Sequence, residues 1–282
     1  MSRHPSSSVQ SAREALATRL REIRLDSGLT GRAVAARAGW HASKSSRIEN
    51  AVTPPSDADI RAWCSACGAD GQAEDLIAAS RSTESMYVEW KRLQRTGLRR
   101  LQESYEPLFE RTRTLRVYCS NVVPGLLQTP AYATALLTEI AGFRQSPNDV
   151  AEAVTARMSR SRFLREGDHR FAFLVEESVL RYRMGDAATM AGQLGHLLAV
   201  MSLPSVSLGV VPLDARRGMW PLETFSVYDT DRAQVELLTA AVTVTSPSEV
   251  GQYLQAFARV GRLAVHGADA RSLITAAIDA LR

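Results

Sequence analysis

The feature that most constrains the fold of this chain is a pair of short helical patterns joined by the turn at residues 38–41, Ala-Gly-Trp-His. Thr30 can cap the first pattern, because a threonine hydroxyl accepts a hydrogen bond from a first-turn amide. The second pattern runs from about residue 42 to residue 49, and Asn50 is its expected end. Two such helices with a glycine in the turn between them are typical of a helix-turn-helix.

Further helical patterns flank this pair. The apolar residues from Leu16 to Ile23 recur at helical spacing and predict a helix before it. After it, Pro54 and Pro55 predict an extended connection, since neither can donate a backbone hydrogen bond. A fourth helix then begins at Ser56 or Asp57, and a short fifth helix follows. We therefore predict a polar, disordered arm over residues 1–10 and an all-α, five-helix domain over residues 11–82.

The rest of the chain has a mixed pattern. Residues 84–113 have a long helical pattern that is punctuated by Gly97 and Pro107. Strand signals then alternate irregularly with helices, and they fall at residues 114–123, 170–175, 205–211, 223–229 and 233–238. Helices are expected from Pro130, over 149–166, near 187–202, and over 247–264 and 269–281. This order predicts a larger, mixed α+β domain over residues 83–282, so the fold class of the whole chain is α+β.

Positive charge is concentrated at the start of the chain. Residues 1–50 contain nine arginines and lysines against four acids, whereas the net charge of the whole chain is only +4. The remaining residues are therefore close to neutral. The N-terminal end of the chain is therefore electropositive, which permits an anionic partner such as double-stranded DNA but does not by itself name one.

The second helix of the pair has a polar outer face. Trp40 and Ile48 occupy positions that can face the core, which leaves short polar and basic side chains near the helix N-terminus, where the helix dipole favours phosphate. We predict that DNA is contacted by Thr30, Arg32, His41, Ala42, Ser43, Lys44, Ser46, Arg47 and Asn50.

Two basic residues of this helix are the main candidates. Arg47 can donate to phosphate or to guanine O6 and N7, although an ion pair with Glu49 or another acid of the domain is the alternative. Lys44 has no obvious carboxylate partner near it in the sequence, which favours DNA contact. Glu49 is expected to have a structural role, because a carboxylate that faces DNA would be repelled.

Residues 20–68 resemble the Xre-type, or phage-repressor-like, helix-turn-helix family. The matching motifs are Leu29-Thr30, Ala35-Ala36, Gly39, Ser46-Arg47-Ile48-Glu49-Asn50 and Pro55-Ser56. Gly31 and Ala42 stand where the family usually has glutamine, and His41 replaces its usual serine or threonine cap. The resemblance implies DNA binding, with weaker sequence readout by the first turn of the second helix.

Residues 86–282 resemble the C-terminal domain of a group of actinomycete regulators described as antitoxin-like. The motifs are Trp90, Gly97, Leu101-Gln102, the segment 123–129 (Val-Pro-Gly-Leu-Leu-Gln-Thr) and Tyr132-Ala133, with a looser match in an arginine-rich helix over 157–165. This resemblance implies regulatory input from a small partner protein encoded nearby.

Enzyme and metal motifs are missing from the sequence. None of the five histidines stands in an HExxH pattern, and no lysine beyond Lys91 could serve as the base of a self-cleaving Ser/Lys site. Cys64 and Cys67 form a CxxC, but no second ligand pair follows, so they are expected to be small core residues. Glu176 and Glu177 would point to opposite sides of a strand. We expect no catalytic residue, no cofactor and no bound metal.

Composition bounds the setting of the protein. No stretch approaches the ~18 apolar residues that span a bilayer, and three cysteines in 282 residues fit a reducing cytoplasm. The sequence thus predicts a cytoplasmic, homodimeric, sequence-specific transcriptional regulator on a palindromic operator. Two alternatives stay open: a regulator whose second domain senses a small molecule, and a protein-interaction module that does not bind DNA.

Overall fold

The computed structural model describes residues 7–82, 87–89 and 97–281. The chain divides into two compact units. The first comprises Met1–Tyr87 with Thr243–Val250, and the second comprises Val88–Val242 with Gly251–Arg282. Each unit has its own hydrophobic core. A helical N-terminal region followed by a mixed α+β region confirms the predicted fold class.

The first unit is built from short helices. They are α1 (Ser7–Asp26), α2 (Gly31–Arg37), α3 (Ala42–Glu49), α4 (Asp57–Ala66) and α5 (Ala73–Ser82), with a 3-10 turn at Asp70–Gln72. The first helix starts earlier than predicted, since residues 7–10 of the expected disordered arm extend it by adding one hydrogen bond per residue to an existing helix. The remaining residues of that arm, 1–6, lie outside the described part of the chain.

The core of the first unit is centred on one tryptophan. Trp63 is fully buried among Leu20, Ile48 and Ile60, and its indole Nε1 donates a 3.0 Å hydrogen bond to the Leu20 carbonyl oxygen. Burying an aromatic side chain of this size stabilises the fold strongly, and the hydrogen bond satisfies its polar atom. Helices α1, α3 and α4 are therefore fixed to one another through this ring.

The strands of the chain form a single mixed sheet. They are β1 (Tyr87–Glu89), β2 (Thr114–Cys119), β3 (Arg170–Glu176), β4 (Val206–Val211), β5 (Phe225–Tyr228), β6 (Arg232–Glu236) and β7 (Ala240–Val244). Their order in the sheet is β1-β7-β6-β5-β2-β3-β4. Strands β2, β3 and β4 are parallel, whereas β2 with β5 and β5 with β6 are antiparallel. The expected strands are all present.

Two strands were not predicted. Residues 87–89 lie in the stretch that has the long helical pattern, and Ala240–Val244 had no assignment. Both join the same end of the sheet, where pairing with a neighbouring strand overrides a weak local preference. Residues 83–86 and 90–96 at the start of this helical pattern, including Trp90, lie outside the described residues.

Eight further helices lie between residues 97 and 281. They are α6 (Leu98–Ser104), α7 (Glu106–Arg111), α8 (Pro130–Arg144), α9 (Val150–Ser159), α10 (Glu177–Arg181), α11 (Ala187–Val200), α12 (Pro247–Gly261) and α13 (Gly267–Asp279), with 3-10 turns at Gly125–Leu127 and Arg160–Leu164. The predicted helix over 149–166 is thus an α-helix followed by a 3-10 turn. Thr129 caps α8 through its side chain.

A carboxylate joins two of these helices. Asp149, which directly precedes α9, accepts hydrogen bonds of 2.9 Å from the backbone amides of Leu98 and Arg99 at the start of α6. Gly97 has a φ of +97°, and a Cβ placed there would lie 2.1 Å from an Asp149 carboxylate oxygen. Only glycine fits this position. Within the described ranges, no helix is long and apolar enough to cross a membrane.

Candidate nucleic-acid interface

Helices α2 and α3 are each fixed at their start by a side-chain cap. Thr30 Oγ1 accepts a 3.2 Å hydrogen bond from the Ala33 amide, and His41 Nδ1 accepts one of 3.2 Å from the Ser43 amide. Gly39 in the turn has a φ of +72°, a conformation that other residues rarely adopt. His41 therefore performs the capping role of the serine or threonine that it replaces.

The inner face of α3 is packed against the core. Ile48 and Ser45 are buried, and the Trp40 Nε1 donates a 2.9 Å hydrogen bond to the Ser45 hydroxyl. The rings of Trp40 and Trp63 have centroids 6.4 Å apart. The predicted inward positions of Trp40 and Ile48 agree with this packing, although Trp40 is only half-buried. The opposite face of α3 is left to the surface.

The C-terminal end of α3 is anchored to α1 by arginines. Glu49 accepts from Arg24 at both carboxylate oxygens, with Nε–Oε1 at 2.5 Å and Nη2–Oε2 at 3.3 Å. Arg21 Nη2 donates to the Glu49 carbonyl oxygen at 2.8 Å. The pair is well shielded, because the side chains of Arg24 and Glu49 are only 14% and 12% exposed. Glu49 thus has the structural role that the sequence predicted.

Asn50 takes part in the same anchor. Its side-chain amide donates to the Ser46 carbonyl oxygen at 2.8 Å, and its Oδ1 accepts from Arg21 at 3.1 Å. Both ends of the amide are therefore used within the protein. This engagement argues against the predicted DNA contact of Asn50 and favours a role as the C-cap of α3.

Lys44 has a carboxylate partner, so the expectation that it lacks one is wrong. Its Nζ lies 2.5 Å from Asp59 Oδ1 and 4.7 Å from the centre of the Trp40 ring. Burial alone would raise the pKa of Asp59, but the hydrogen bonds from Lys44 and Ser56 hold that pKa below its ordinary value. Asp59 also completes a capping box with Ser56 at the start of α4. The Ser-x-x-Asp spacing of that box was the sequence signal that could have placed Asp59 at the start of α4.

Arg47 and Arg32 are the free cations of this surface. Both are exposed, and within the described residues neither side chain has a hydrogen bond or an ion pair. The alternative pairing of Arg47 with Glu49 is not formed, since Glu49 is bound to Arg24. Arg37 on α2 donates to the Ala66 carbonyl oxygen instead. Arg47 therefore presents an uncompensated guanidinium on the outer face of α3.

The remaining predicted contacts are small and polar. Ser43 and Ser46 are exposed, and Ala42 is half-buried at the start of α3. The Ser43 hydroxyl lies 2.9 Å from His41 Nδ1, and the Ser46 hydroxyl lies 3.4 Å from the Asn50 amide nitrogen. A phosphate oxygen needs a donor: the Ser46 hydroxyl accepts from Asn50 and keeps its proton for this role, whereas the Ser43 hydroxyl donates its proton to His41 Nδ1.

The CxxC residues behave as part of the core. Cys64 is fully buried, and burial raises the pKa of its thiol to about 11. Cys67 is half-buried, and burial raises its pKa as well. A thiol with a raised pKa is a poor nucleophile at neutral pH. Within the described ranges, no three or more histidine, cysteine or acidic side chains gather as metal ligands would.

The adjacent glutamates of the second unit bind different partners. Glu176 accepts a 2.7 Å hydrogen bond from the Tyr118 hydroxyl and is bound by Arg217. Glu177 is bound by Arg181 and accepts from the Leu213 amide at 3.0 Å. The two carboxylates are therefore directed to separate partners, although Glu177 begins α10 rather than continuing the strand as expected. They fasten the residues after β4 to the end of β3.

Comparison with known families agrees with this geometry. Residues 15–77 match the model of a helix-turn-helix domain, which confirms that part of the sequence prediction. Residues 104–276, more than half of the chain, match the model of a domain of unknown function (DUF5753). No curated protein and no solved structure matches the chain. The Xre-type and antitoxin-like resemblances stay predictions.

Proposed function

The chain belongs to the DUF5753 family, and we propose that it is a sequence-specific DNA-binding transcriptional regulator. The observation that carries this proposal is the unpaired guanidinium of Arg47 on the exposed face of an anchored α3. An arginine held on a rigid helix can donate two hydrogen bonds to guanine O6 and N7 in the major groove. The anchor keeps the helix in place before DNA arrives.

Other side chains of the surface would position the duplex. Arg32 and Ser46 are exposed donors suited to phosphate oxygens, and Thr30 lies at the N-terminus of α2, where the helix dipole favours anions. Lys44 would act mainly through its ion pair with Asp59 rather than on DNA. Sequence readout then depends chiefly on Arg47, with the remaining contacts setting register.

One helix-turn-helix reads a short half-site, so the regulator would bind as a dimer. Two half-sites about 34 Å apart on a palindromic operator fit this arrangement. The second unit would supply the dimer interface and the regulatory input, and its antitoxin-like resemblance supports a small partner protein as the source of that input. The protein would act in the cytoplasm and would have no catalytic activity.

The proposal is tested by recovering the DNA bound across the genome and measuring affinity for the recovered site. The double variant Arg32→Ala, Arg47→Ala should lose at least tenfold in affinity at fixed salt, with a flatter dependence on salt. Arg61→Ala is the matched control, because Arg61 is an arginine of α4 paired with Glu74 on the surface. A palindromic site that the double variant no longer binds supports the proposal.

The opposite outcome identifies the alternative. If both variants bind the recovered DNA as the wild type does, α3 does not read DNA and the first unit is a protein-interaction module. Circular dichroism of each variant checks that folding is unchanged, which is expected because the side chains of Arg32 and Arg47 make no hydrogen bond or ion pair within the described residues.

A further inference from the structure

Three arginines of the second unit lie in or near its core without a carboxylate in direct contact among the described residues. Arg160 is 6% exposed, and Arg157 and Arg232 are half-buried. Within the described residues, no carboxylate oxygen lies within the 4.0 Å of an ion pair from any of them. We call Arg157, Arg160 and Arg232 the arginine cluster. Arginine is almost never buried unless it is paired, so this grouping is unusual.

Two members of the cluster converge on one neutral side chain. Gln102 Oε1 accepts from Arg157 Nε at 3.1 Å and from Arg160 Nη2 at 2.7 Å. Arg160 Nη1 also donates to the Gln102 carbonyl oxygen at 2.8 Å, and Arg157 Nη1 donates to Gln128 Oε1 at 2.7 Å. The direct acceptors of the two guanidinium groups are amide and carbonyl oxygens, and the carboxylates of Glu236 and Glu106 act on Arg157 and Arg160 only at longer range.

Aromatic rings connect these two arginines to the third. The Arg160 guanidinium lies 5.3 Å from the centre of the Tyr105 ring and 5.4 Å from that of Phe109. Phe109 packs edge-on against Tyr228 at 6.0 Å between ring centres. Tyr228 is directly opposite Arg232 in the antiparallel pairing of β5 and β6. The arginine cluster therefore lies around one connected group of aromatic rings.

Hydrogen-bonding capacity is left over in the cluster. The Nε atoms of Arg160 and Arg232 are both buried without a partner. A guanidinium has five N–H donors, and the contacts above use two from Arg157 and two from Arg160. Burial and the neighbouring charge of Arg157 lower the pKa of Arg160 to about 10, so the charged form is disfavoured where it stands.

If the arginine cluster had only a structural role, it would lower the stability of the fold. Burying a charge costs several kcal/mol unless a counter-charge and further hydrogen bonds offset it, and here amides supply only part of the offset. Apolar residues of similar volume would fill the same space at less cost. The retained charge and the unused donors therefore point to a missing anion.

We propose that the arginine cluster binds an oxyanion, the carboxylate or phosphate group of a small molecule. The planar guanidinium fork matches both groups with two parallel hydrogen bonds. Anion binding at this site does not depend on the proposed function. Only its consequence, a ligand-dependent change in DNA binding, rests on that function. For the alternative in which the second domain senses a small molecule, the site specifies the chemical group of that molecule.

The test uses the full chain and three probes at constant ionic strength. Inorganic phosphate and pyrophosphate represent phosphate ligands, succinate represents carboxylates, and sodium chloride serves as the baseline. At least one probe should raise the Tm by about 3 °C or more at saturation, because a ligand that binds only the folded state stabilises it. The probe that acts identifies the chemistry, and isothermal titration should then give one site per chain.

Paired variants separate a binding site from a structural one. Arg157→Met should keep or raise the Tm in chloride and abolish the response to the active probe, since removing one of two neighbouring charges relieves repulsion. Arg259→Met, at an exposed arginine of α12, should leave both values unchanged. The proposal is overturned if no probe acts, or if Arg157→Met lowers the Tm while the response persists.

Failure of this site and failure of the proposed function are distinguishable. The Arg32→Ala, Arg47→Ala variant should keep the full probe response while losing DNA, because its substitutions lie in the other unit. Conversely, DNA binding by the wild type without any probe response would refute the oxyanion site and leave the regulator intact.

Discussion

In the first unit, Arg24 and Lys44 bind the carboxylates of Glu49 and Asp59, whereas in the second unit Arg157 and Arg160 share the neutral amide oxygen of Gln102. The first arrangement balances charge inside the protein and leaves selected cations on the surface. The second leaves the charges of Arg157 and Arg160 without a directly bound carboxylate in a shielded part of the unit. The comparison teaches that the number of arginines does not by itself indicate their roles. The partner of each arginine decides whether it stabilises the fold or is available to bind a ligand.

The largest effect is expected from removing a carboxylate partner of a shielded arginine in the first unit. Glu49→Ala removes the acceptor of Arg24 and leaves a shielded charge alone, which should lower the free energy of unfolding by about 3 kcal/mol or more. Urea unfolding followed by circular dichroism measures the change. Glu22→Ala, which removes an exposed partner of Arg19, is the control and should cost less than about 1 kcal/mol. Equal effects of the two variants would contradict the anchoring role.

The next effect separates the two basic residues of α3. Arg47→Ala should weaken binding to the recovered operator by at least tenfold, about 1–3 kcal/mol, whereas Lys44→Ala should change it less than about threefold because Asp59 already neutralises Lys44. Fluorescence anisotropy at fixed salt measures both. A larger loss for Lys44→Ala would mean that its ion pair opens on DNA.

A third change makes the second unit resemble the first. Gln102→Glu supplies a carboxylate to Arg157 and Arg160, and charge-assisted hydrogen bonds should raise the free energy of unfolding by about 1 kcal/mol. The same substitution should abolish the probe response, since the anion is then built in. Gln255→Glu, at an exposed position of α12, should do neither. A destabilised Gln102→Glu that still responds to the probe would oppose the proposal.

The smallest effect depends on pH. Because the pKa of Asp59 is lowered in the folded state, its carboxylate stabilises the fold above its ordinary value of 3.8 and loses this effect as pH falls through the folded-state pKa. Asp59→Asn should therefore cost about 1 kcal/mol at pH 7, and the difference from the wild type should shrink in acid. Urea unfolding at pH 7 and at progressively lower pH measures it. A difference that stays constant would show that Asp59 acts by hydrogen bonding alone.

The sequence predicted what local patterns determine. The bounds of α3 and the caps at Thr30 and Ser56 follow from residue types within one or two turns of the helix. The strand at Ala240–Val244 was missed because its two alanines favour helix over strand, and pairing with neighbouring strands decides its conformation.

Contacts between distant segments were beyond local reasoning. Lys44 meets Asp59 because the connection through Pro54 and Pro55 brings α4 back to α3, a path that periodicity does not reveal. The arginine cluster depends on Gln102 and Gln128, which come from separate elements. Sequence analysis singled out the arginine-rich segment but had no means to identify its acceptors.

The half-buried ring of Trp40 has a practical consequence. It lies beneath the ammonium of Lys44 and beside Trp63, immediately before the helix that would meet the duplex. Indole emission shifts with the polarity and charge around it. The domain therefore carries a built-in optical reporter: titration with operator should alter its fluorescence without any attached dye, and replacing Trp40 with phenylalanine should silence that signal.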